Sequence, residues 1–308
     1  GDFTDTAIFL KNYVRVKYHQ VSNQINSVGF SPDGSKVALG ADDSVTLWEK
    51  NTGAYIRKVA SGLTLVYALK FSSDGTKILT ASWWGRSDLW DAASGMYLQT
   101  YSGNQRGIYS VAFSPDESKL LSGSYDGSTK LWQTSTGKEL LTLTGPMNSV
   151  NSVSFSPDGS KIITGSADSA GRLWDGLWDA STGALLKTFT GNSNIAKAIT
   201  FTPSGSTFWS FSTDGTVQLM DITTGATLQT NKTGVFMAQC AAFSPDRSKV
   251  ATGAWSDYGV KVWETTTGKL LQECMGHTAP VLSIAFSPDG SQLLTGSMDS
   301  TAILWDVK

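Results

Sequence analysis

Residues 107–143 read GIYSVAFSPDESKLLSGSYDGSTKLWQTSTGKELLTL, and the reading of this stretch decides the fold. Apolar and small polar residues alternate from Gly107 to Phe113, which predicts a short strand. Ser114-Pro115-Asp116-Glu117 predicts a turn, with proline presetting its φ. Lys119–Ser124 reads as a second strand and Asp126-Gly127 as a tight hairpin. Ser128–Trp132 reads as a third strand. After a turn at Thr136-Gly137, Lys138–Leu143 reads as a fourth. Four short strands make one twisted sheet, which cannot bury both of its faces alone.

The stretch is one of seven. Its Phe-Ser-Pro-Asp turn recurs in variant form at Phe30, Phe71, Phe113, Phe155, Phe201, Phe243 and Phe286, at spacings of 41, 42, 42, 46, 42 and 43 residues. The long spacing contains a four-residue duplication, Leu173-Trp174-Asp175-Gly176 followed by Leu177-Trp178-Asp179-Ala180. Repeats therefore start near residues 25, 66, 108, 150, 196, 238 and 281. Seven small sheets packed face to face bury one another when the array closes on itself. The last repeat stops just after its third strand, at Trp305-Asp306-Val307-Lys308. The segment 12–19, with Val14, Val16 and Tyr18 alternating, lies where a fourth strand is missing. The expected architecture is all-β: a seven-bladed propeller of four-stranded antiparallel sheets in a single domain over residues 1–308. The N-terminal strand completes the last blade, which removes an open sheet edge.

Composition agrees with this reading. Of 308 residues, 40% are hydrophobic, with 11 Trp and 13 Phe, enough for a large core. The 31 glycines fit many tight turns. A net charge of −2 gives no electrostatic case for nucleic acid or anionic membrane. No apolar run approaches the length of a membrane span, and no signal peptide is visible, so the expected compartment is the cytoplasm. Two cysteines, Cys240 and Cys274, make neither a disulfide framework nor a Cys-rich metal site. No phosphate loop, His-Glu-x-x-His or nucleophile elbow occurs, so neither catalysis nor a cofactor is expected. The sequon Asn231-Lys232-Thr233 falls near an expected surface loop. Lys36, Lys77, Lys119, Lys161 and Lys249 begin second strands near Asp33, Asp74, Asp116, Asp158 and Asp246, an expected mutually neutralising lower rim.

The period, the Gly-Ser-x-Asp turn and the endings Leu47-Trp48-Glu49, Leu89-Trp90-Asp91, Leu131-Trp132-Gln133, Leu173-Trp174-Asp175, Leu219-Met220-Asp221, Val262-Trp263-Glu264 and Leu304-Trp305-Asp306 resemble WD40 repeats. The resemblance covers about residues 13–308. It implies a structural tetrad of His, Ser or Thr, Asp and Trp in each blade. Only the seventh repeat supplies all four, as His277, Thr295, Asp299 and Trp305. The others lack the histidine and carry segments such as Ser102-Gly103-Asn104. Their turns mostly keep Asp, at Asp42, Asp126, Asp168 and Asp214, with Asp257 shifted by one and Trp84 in the second repeat. His19 has no matching partners and is expected at the surface.

The resemblance also implies that partners bind the upper face, at three positions per blade. Those before the turn Asp include Trp83, Tyr125, Trp255 and Met298. Those four before the repeat Phe include Asn26, Tyr67, Tyr109, Asn151, Lys197 and Gln239, and those six before include Leu65 and Met237. This set is rich in aromatic, Met and amide side chains and poor in charge, the composition of interface centres. Its reading is a non-catalytic scaffold, a monomeric domain binding a protein or peptide. A carbohydrate ligand, stacked on Trp and Tyr, or a purely structural ring within a larger protein are the alternatives.

Overall fold

The computed structural model describes residues 14–19, 24–62, 65–145, 148–167, 173–189, 195–235, 237–256 and 258–307. Every regular element among them is a strand. The strands form seven four-stranded antiparallel sheets, six of them ordered a–b–c–d along the chain. Blades one to six span 25–61, 66–102, 108–143, 149–189, 196–232 and 238–274. Blade seven takes its strands a to c from Val281–Phe286, Gln292–Ser297 and Thr301–Asp306, and its strand d from Val14–His19. That pairing is antiparallel, with Tyr18 opposite Ala302 and Val16 opposite Leu304. Residues 12 and 13 of the expected closing segment lie outside the described residues.

Strand a of each blade packs against strand a of both neighbours, blades one and seven included, so the array is a ring with strands a innermost. The apolar core is divided accordingly into seven clusters, one at each blade–blade interface. Strand b lies in the middle of each sheet and is buried on both faces, which explains unbroken runs such as Lys-Leu-Leu-Ser-Gly-Ser at 119–124. Gly123 in that run has no room for a side chain: a Cβ there would stand 2.7 Å from both Val150 and Val153 of the next blade.

Six blades carry a tryptophan on strand c, and its indole N–H ties it inward. Nε1 of Trp90, Trp132, Trp178, Trp263 and Trp305 donates to the hydroxyl of Thr80, Ser122, Thr164, Thr252 and Thr295 on strand b. Blade one has Leu39 at that place, so Trp48 donates instead to Thr46 on its own strand, at 2.9 Å.

Blade four corrects the sequence reading. The ending in register is Leu177-Trp178-Asp179, not Leu173-Trp174-Asp175. The duplication lengthens strand c, Leu173–Asp179, instead of enlarging a loop. Trp178 then lies opposite Ile162 and reaches Thr164, while Trp174 lies opposite Ser166 farther along the sheet. The added residues find ladder partners on an equally long strand b, Lys161–Ala167, which is why the insertion is absorbed in the sheet.

The lower rim is held differently from the expected charge pairing. Asp33 accepts from the Ser31 hydroxyl and from the amide and hydroxyl of Ser35. The same cage surrounds Asp74, Asp116, Asp158, Asp246 and Asp289. These bonds hold the carboxyl pKa well below the ordinary range, to about 2 at Asp33 and Asp116. Of the Lys–Asp pairs named above, Lys77–Asp74 alone, at 3.9 Å, comes within ion-pair distance among the described residues.

Candidate functional site

In all seven blades strand a carries a β-bulge near its upper end. The register against strand b skips one residue, between Ile25 and Ser27, Val66 and Ala68, Ile108 and Ser110, Val150 and Ser152, Ala196 and Ala198, Ala238 and Cys240, and Val281 and Ser283. The unpaired residue is Asn26, Tyr67, Tyr109, Asn151, Lys197, Gln239 or Leu282. A bulge turns the extra side chain away from the ladder's alternation. Here it delivers all seven to one place, the upper mouth of the ring's central cavity, about 600 Å³ in volume.

Seven of the sequence-derived site residues line this mouth: Asn26, Tyr67, Tyr109, Tyr125, Asn151, Lys197 and Gln239. Tyr67, Trp83, Tyr125 and Tyr109 form a closed circuit of touching rings. The centroid distances are 5.7 Å for Tyr67–Trp83, 6.2 Å for Trp83–Tyr125, 5.8 Å for Tyr125–Tyr109 and 5.3 Å for Tyr109–Tyr67. Gly107 makes this possible, because a Cβ there would come within 2.8 Å of the Trp83 ring. The Arg106 guanidinium stands over Tyr125 at 5.7 Å, close enough for a cation–π contact. Burial raises the pKa of both Tyr67 and Tyr109, so their hydroxyls stay protonated donors.

The remaining site residues lie outside the mouth. Trp255, Met237 and Met298 are exposed, at 49%, 62% and 39%. Leu65 is half-buried; it and Met237 hold the left-handed backbone, at φ 51° and 56°, that favours glycine. Asn26 is buried and already donates its amide to Asp42 at 2.9 Å, so only part of its hydrogen-bonding capacity faces the mouth. Lys197 is the opposite case. Its ammonium has no hydrogen-bond or ion-pair partner among the described residues, burial lowers its pKa, and no Asp or Glu lines the mouth. Trp84, 71% exposed at the turn beside Trp83, is absent from the sequence-derived set. It sits where other repeats carry the turn Asp, and that substitution was its only signal.

The tetrad in blade seven is a connected network. Trp305 Nε1 donates to Thr295 Oγ1 at 2.9 Å, and His277 Nε2 lies 2.8 Å from the same oxygen. His277 Nδ1 lies 2.9 Å from Asp299, whose carboxylate also accepts from the amide of Thr278 and from Thr301. Burial would raise the Asp299 pKa, but these bonds outweigh it and hold the carboxylate well below its usual range. Blade three builds the same link without histidine. Asn104 accepts from Ser122 at 2.7 Å and donates to Ser128 at 3.0 Å, while Ser122 receives the Trp132 indole. An amide carries an acceptor and a donor on adjacent atoms and so replaces the imidazole. The Asn in Ser102-Gly103-Asn104 was visible in the sequence, but its equivalence to His277 was not. Asp168, Asp257 and the side chain of His19 lie outside the described residues. Asn231 of the sequon lies on a strand, and its Nδ2 donates to the Thr265 carbonyl at 2.7 Å, so the atom a glycan would occupy is already engaged.

Among the described residues no three His, Cys, Asp or Glu side chains gather as metal ligands. A search of curated proteins finds no match. The WD40 profile (WD domain, G-beta repeat) matches residues 12–49, 58–91, 95–133, 137–175, 224–264 and 268–306, more than half of the chain. It leaves unmatched the stretch that holds most of blade five, where Met220 replaces the tryptophan. The geometry supplies that blade all the same. With seven blades closed by the N-terminal strand and the repeat profile matching on both sides of that stretch, the chain belongs to the WD40 family, whose propellers are typically non-catalytic protein-interaction scaffolds.

Proposed function

We propose that the upper mouth binds a peptide or protein loop that presents an apolar or aromatic side chain to the ring circuit and a carboxylate to Lys197. The observation that carries this reading is the circuit Tyr67–Trp83–Tyr125–Tyr109, which gathers large rings from two blades at the edge of a concave mouth. Apolar concavities with a few placed polar groups are the usual form of a binding site. The unpaired Lys197 supplies charge selection. The exposed Trp84, Trp255, Met237 and Met298 extend the contact outward as a rim.

The rings spend much of their faces on each other, all three contacts that involve Tyr67 or Tyr109 being edge-on or tilted. This favours a side chain inserted beside them over a sugar stacked flat on one. The test is affinity capture from the native source, with a glycan array in parallel. Replacing Trp83 and Tyr125 together by Ala removes two central anchors, each worth about 2 kcal/mol in such interfaces, so captured partner should fall at least tenfold. Undiminished capture by a folded double variant discards the site, and strong glycan binding with no captured protein replaces the peptide by a carbohydrate.

A further inference from the structure

The lower half of the central cavity, about 660 Å³, has a different character from the upper. Its wall is made by the residue just before each repeat phenylalanine. Six blades place Gly29, Ala112, Ser154, Thr200, Ala242 or Ala285 there, and blade two places Lys70. A second cation enters from the turn below blade six. At the left-handed position of that turn five blades carry glycine, among them Gly75 and Gly159, with φ near 70°. Blade six carries Arg247 at φ 64°. Blade three carries Glu117 there at φ 56°. A side chain held in that conformation is strained, and such outliers concentrate where they serve a function.

Arg247 is also fixed in place. Nε donates to the Phe201 carbonyl at 3.2 Å and Nη1 to the Ser244 carbonyl at 2.9 Å, which leaves Nη2 uncommitted among the described residues. Lys70 has no hydrogen-bond or ion-pair partner among the described residues. Lys70 is solvent-accessible within the channel, and the surrounding walls, then the nearby Arg247 charge, lower its pKa. No Asp or Glu lines the cavity. Ser110 and Ser152, on its wall, accept backbone N–H groups from the next blade, and no acceptor for their hydroxyl protons is found among the described residues. Two like charges thus share a concave wall with uncommitted hydroxyl donors and no carboxylate in its lining, the nearest being Asp246 beside Arg247 and Glu117 in the recess adjoining Lys70.

We infer that the lower cavity is a phosphate site, holding a phosphate monoester or free phosphate between Lys70 and Arg247. A doubly charged oxyanion matches both cations, and the free edge of the guanidinium, the ammonium and the serine hydroxyls suit its several acceptor oxygens. Lys70, Ser110 and Ser152 line the upper mouth as well, whereas Arg247 does not, so Arg247→Gly tests this site apart from the upper-face reading.

Calorimetric titration of the intact protein tests it, using inorganic phosphate and an O-phosphoserine peptide, with chloride and acetate at equal ionic strength as controls. Saturable phosphate binding is expected, at least tenfold tighter than acetate. Arg247→Gly installs the residue that five other blades tolerate and removes the fork. Lys70→Met keeps side-chain length and removes the charge. Each should weaken phosphate binding about tenfold while the protein stays folded. Tighter binding of the peptide identifies an esterified partner residue, and equal or weaker binding identifies free phosphate; either supports the site. No saturable phosphate binding above chloride, acetate binding equal to phosphate, or unchanged affinity in both variants overturns it.

Discussion

Three residues before the core tryptophan or Met220, strand c carries Val45, Ser87, Thr129, Val217, Val260 or Ala302 in six blades, and Asp175 in the fourth. The place is buried between blades and suits an apolar side chain. The Ser87 and Thr129 hydroxyls find no partner there, nor does either Asp175 oxygen. Burial raises the Asp175 pKa to about 8, with the neighbouring Ser210 hydroxyl acting the other way. Ser210 is itself unpartnered, because Met220 has replaced the tryptophan that would donate to it. The sign of the linkage follows. In the unfolded chain Asp175 ionises near pH 4, whereas in the fold it stays protonated to about pH 8. Stability therefore falls as pH rises from about 4 to about 8 and is level above that. Asp175→Val, the residue of three other blades, should remove this slope and raise stability at pH 7 by about 3 kcal/mol. Urea unfolding at several pH values measures both effects, and a variant no more stable than the parent at pH 7 would show that the carboxyl is solvated. The caged turn aspartates act from the acid side. Their depressed pKa stabilises the fold above about pH 4 and is lost as pH falls toward 2, a slope that Asp175→Val should leave in place.

At the scale of the strand, the bulge on strand a does two things. It sends one residue per blade to the upper mouth, and it leaves the next residue but one from the strand's start facing the neighbouring blade. In four blades that residue is serine. Ser27, Ser110, Ser152 and Ser283 accept the backbone N–H of Leu69, Val153, Ile199 and Val28 respectively, at 3.0–3.1 Å. Each bond crosses a blade interface, and Ser283–Val28 crosses the closing one. Ser283→Ala would leave the buried Val28 N–H without its acceptor, and a loss of about 1–2 kcal/mol is expected. Equal urea midpoints for parent and variant would mean that the amide finds another acceptor. Strand order, blade number and the closing strand were legible in the sequence because each rests on local turn chemistry and a fixed period. The tyrosine positions at the mouth were reached through family resemblance. The bulge that explains them was not legible, since a skipped residue looks like any other in an alternating run. The serine bridges were hidden for a related reason: three join residues 42–47 positions apart and the fourth residues 255 apart, and nothing local marks a small hydroxyl as an acceptor for the next sheet. The role of Asn104 was missed and Trp174 was taken in place of Trp178 because the motif was matched by residue type, whereas the fold selects by hydrogen-bonding capacity and register.

At the scale of the whole ring, closure decides whether seven weak sheets behave as one body. Each blade buries its faces only on its neighbours, so an open array would leave both faces of one interface in water and expose strand c of blade seven as a free edge. Two features of the structure prevent this. The strand Val14–His19 covers that edge, and Tyr18 packs into the cluster shared by blades seven and one. Tyr18 is 1% exposed, meets Trp48 edge-on at 6.1 Å and donates its hydroxyl to the Lys50 carbonyl at 2.5 Å. Burial pushes the phenol pKa far above its ordinary value, so it remains a donor throughout the working pH range. One side chain thus ties the first segment of the chain to the last blade and to the first. Tyr18→Ala should cost about 3–5 kcal/mol, the range for deleting a buried aromatic ring. Deleting residues 1–19 should cost more, because it also strips the ladder bonds from strand c of blade seven. The two losses should also differ in kind. The point variant should keep a single unfolding transition with a lower midpoint, whereas the truncated chain should expose its edge and form larger species than the parent at equal concentration. Urea denaturation with sedimentation velocity separates them, and a truncated chain with the parent's association state and midpoint would show that the ring holds without its borrowed strand.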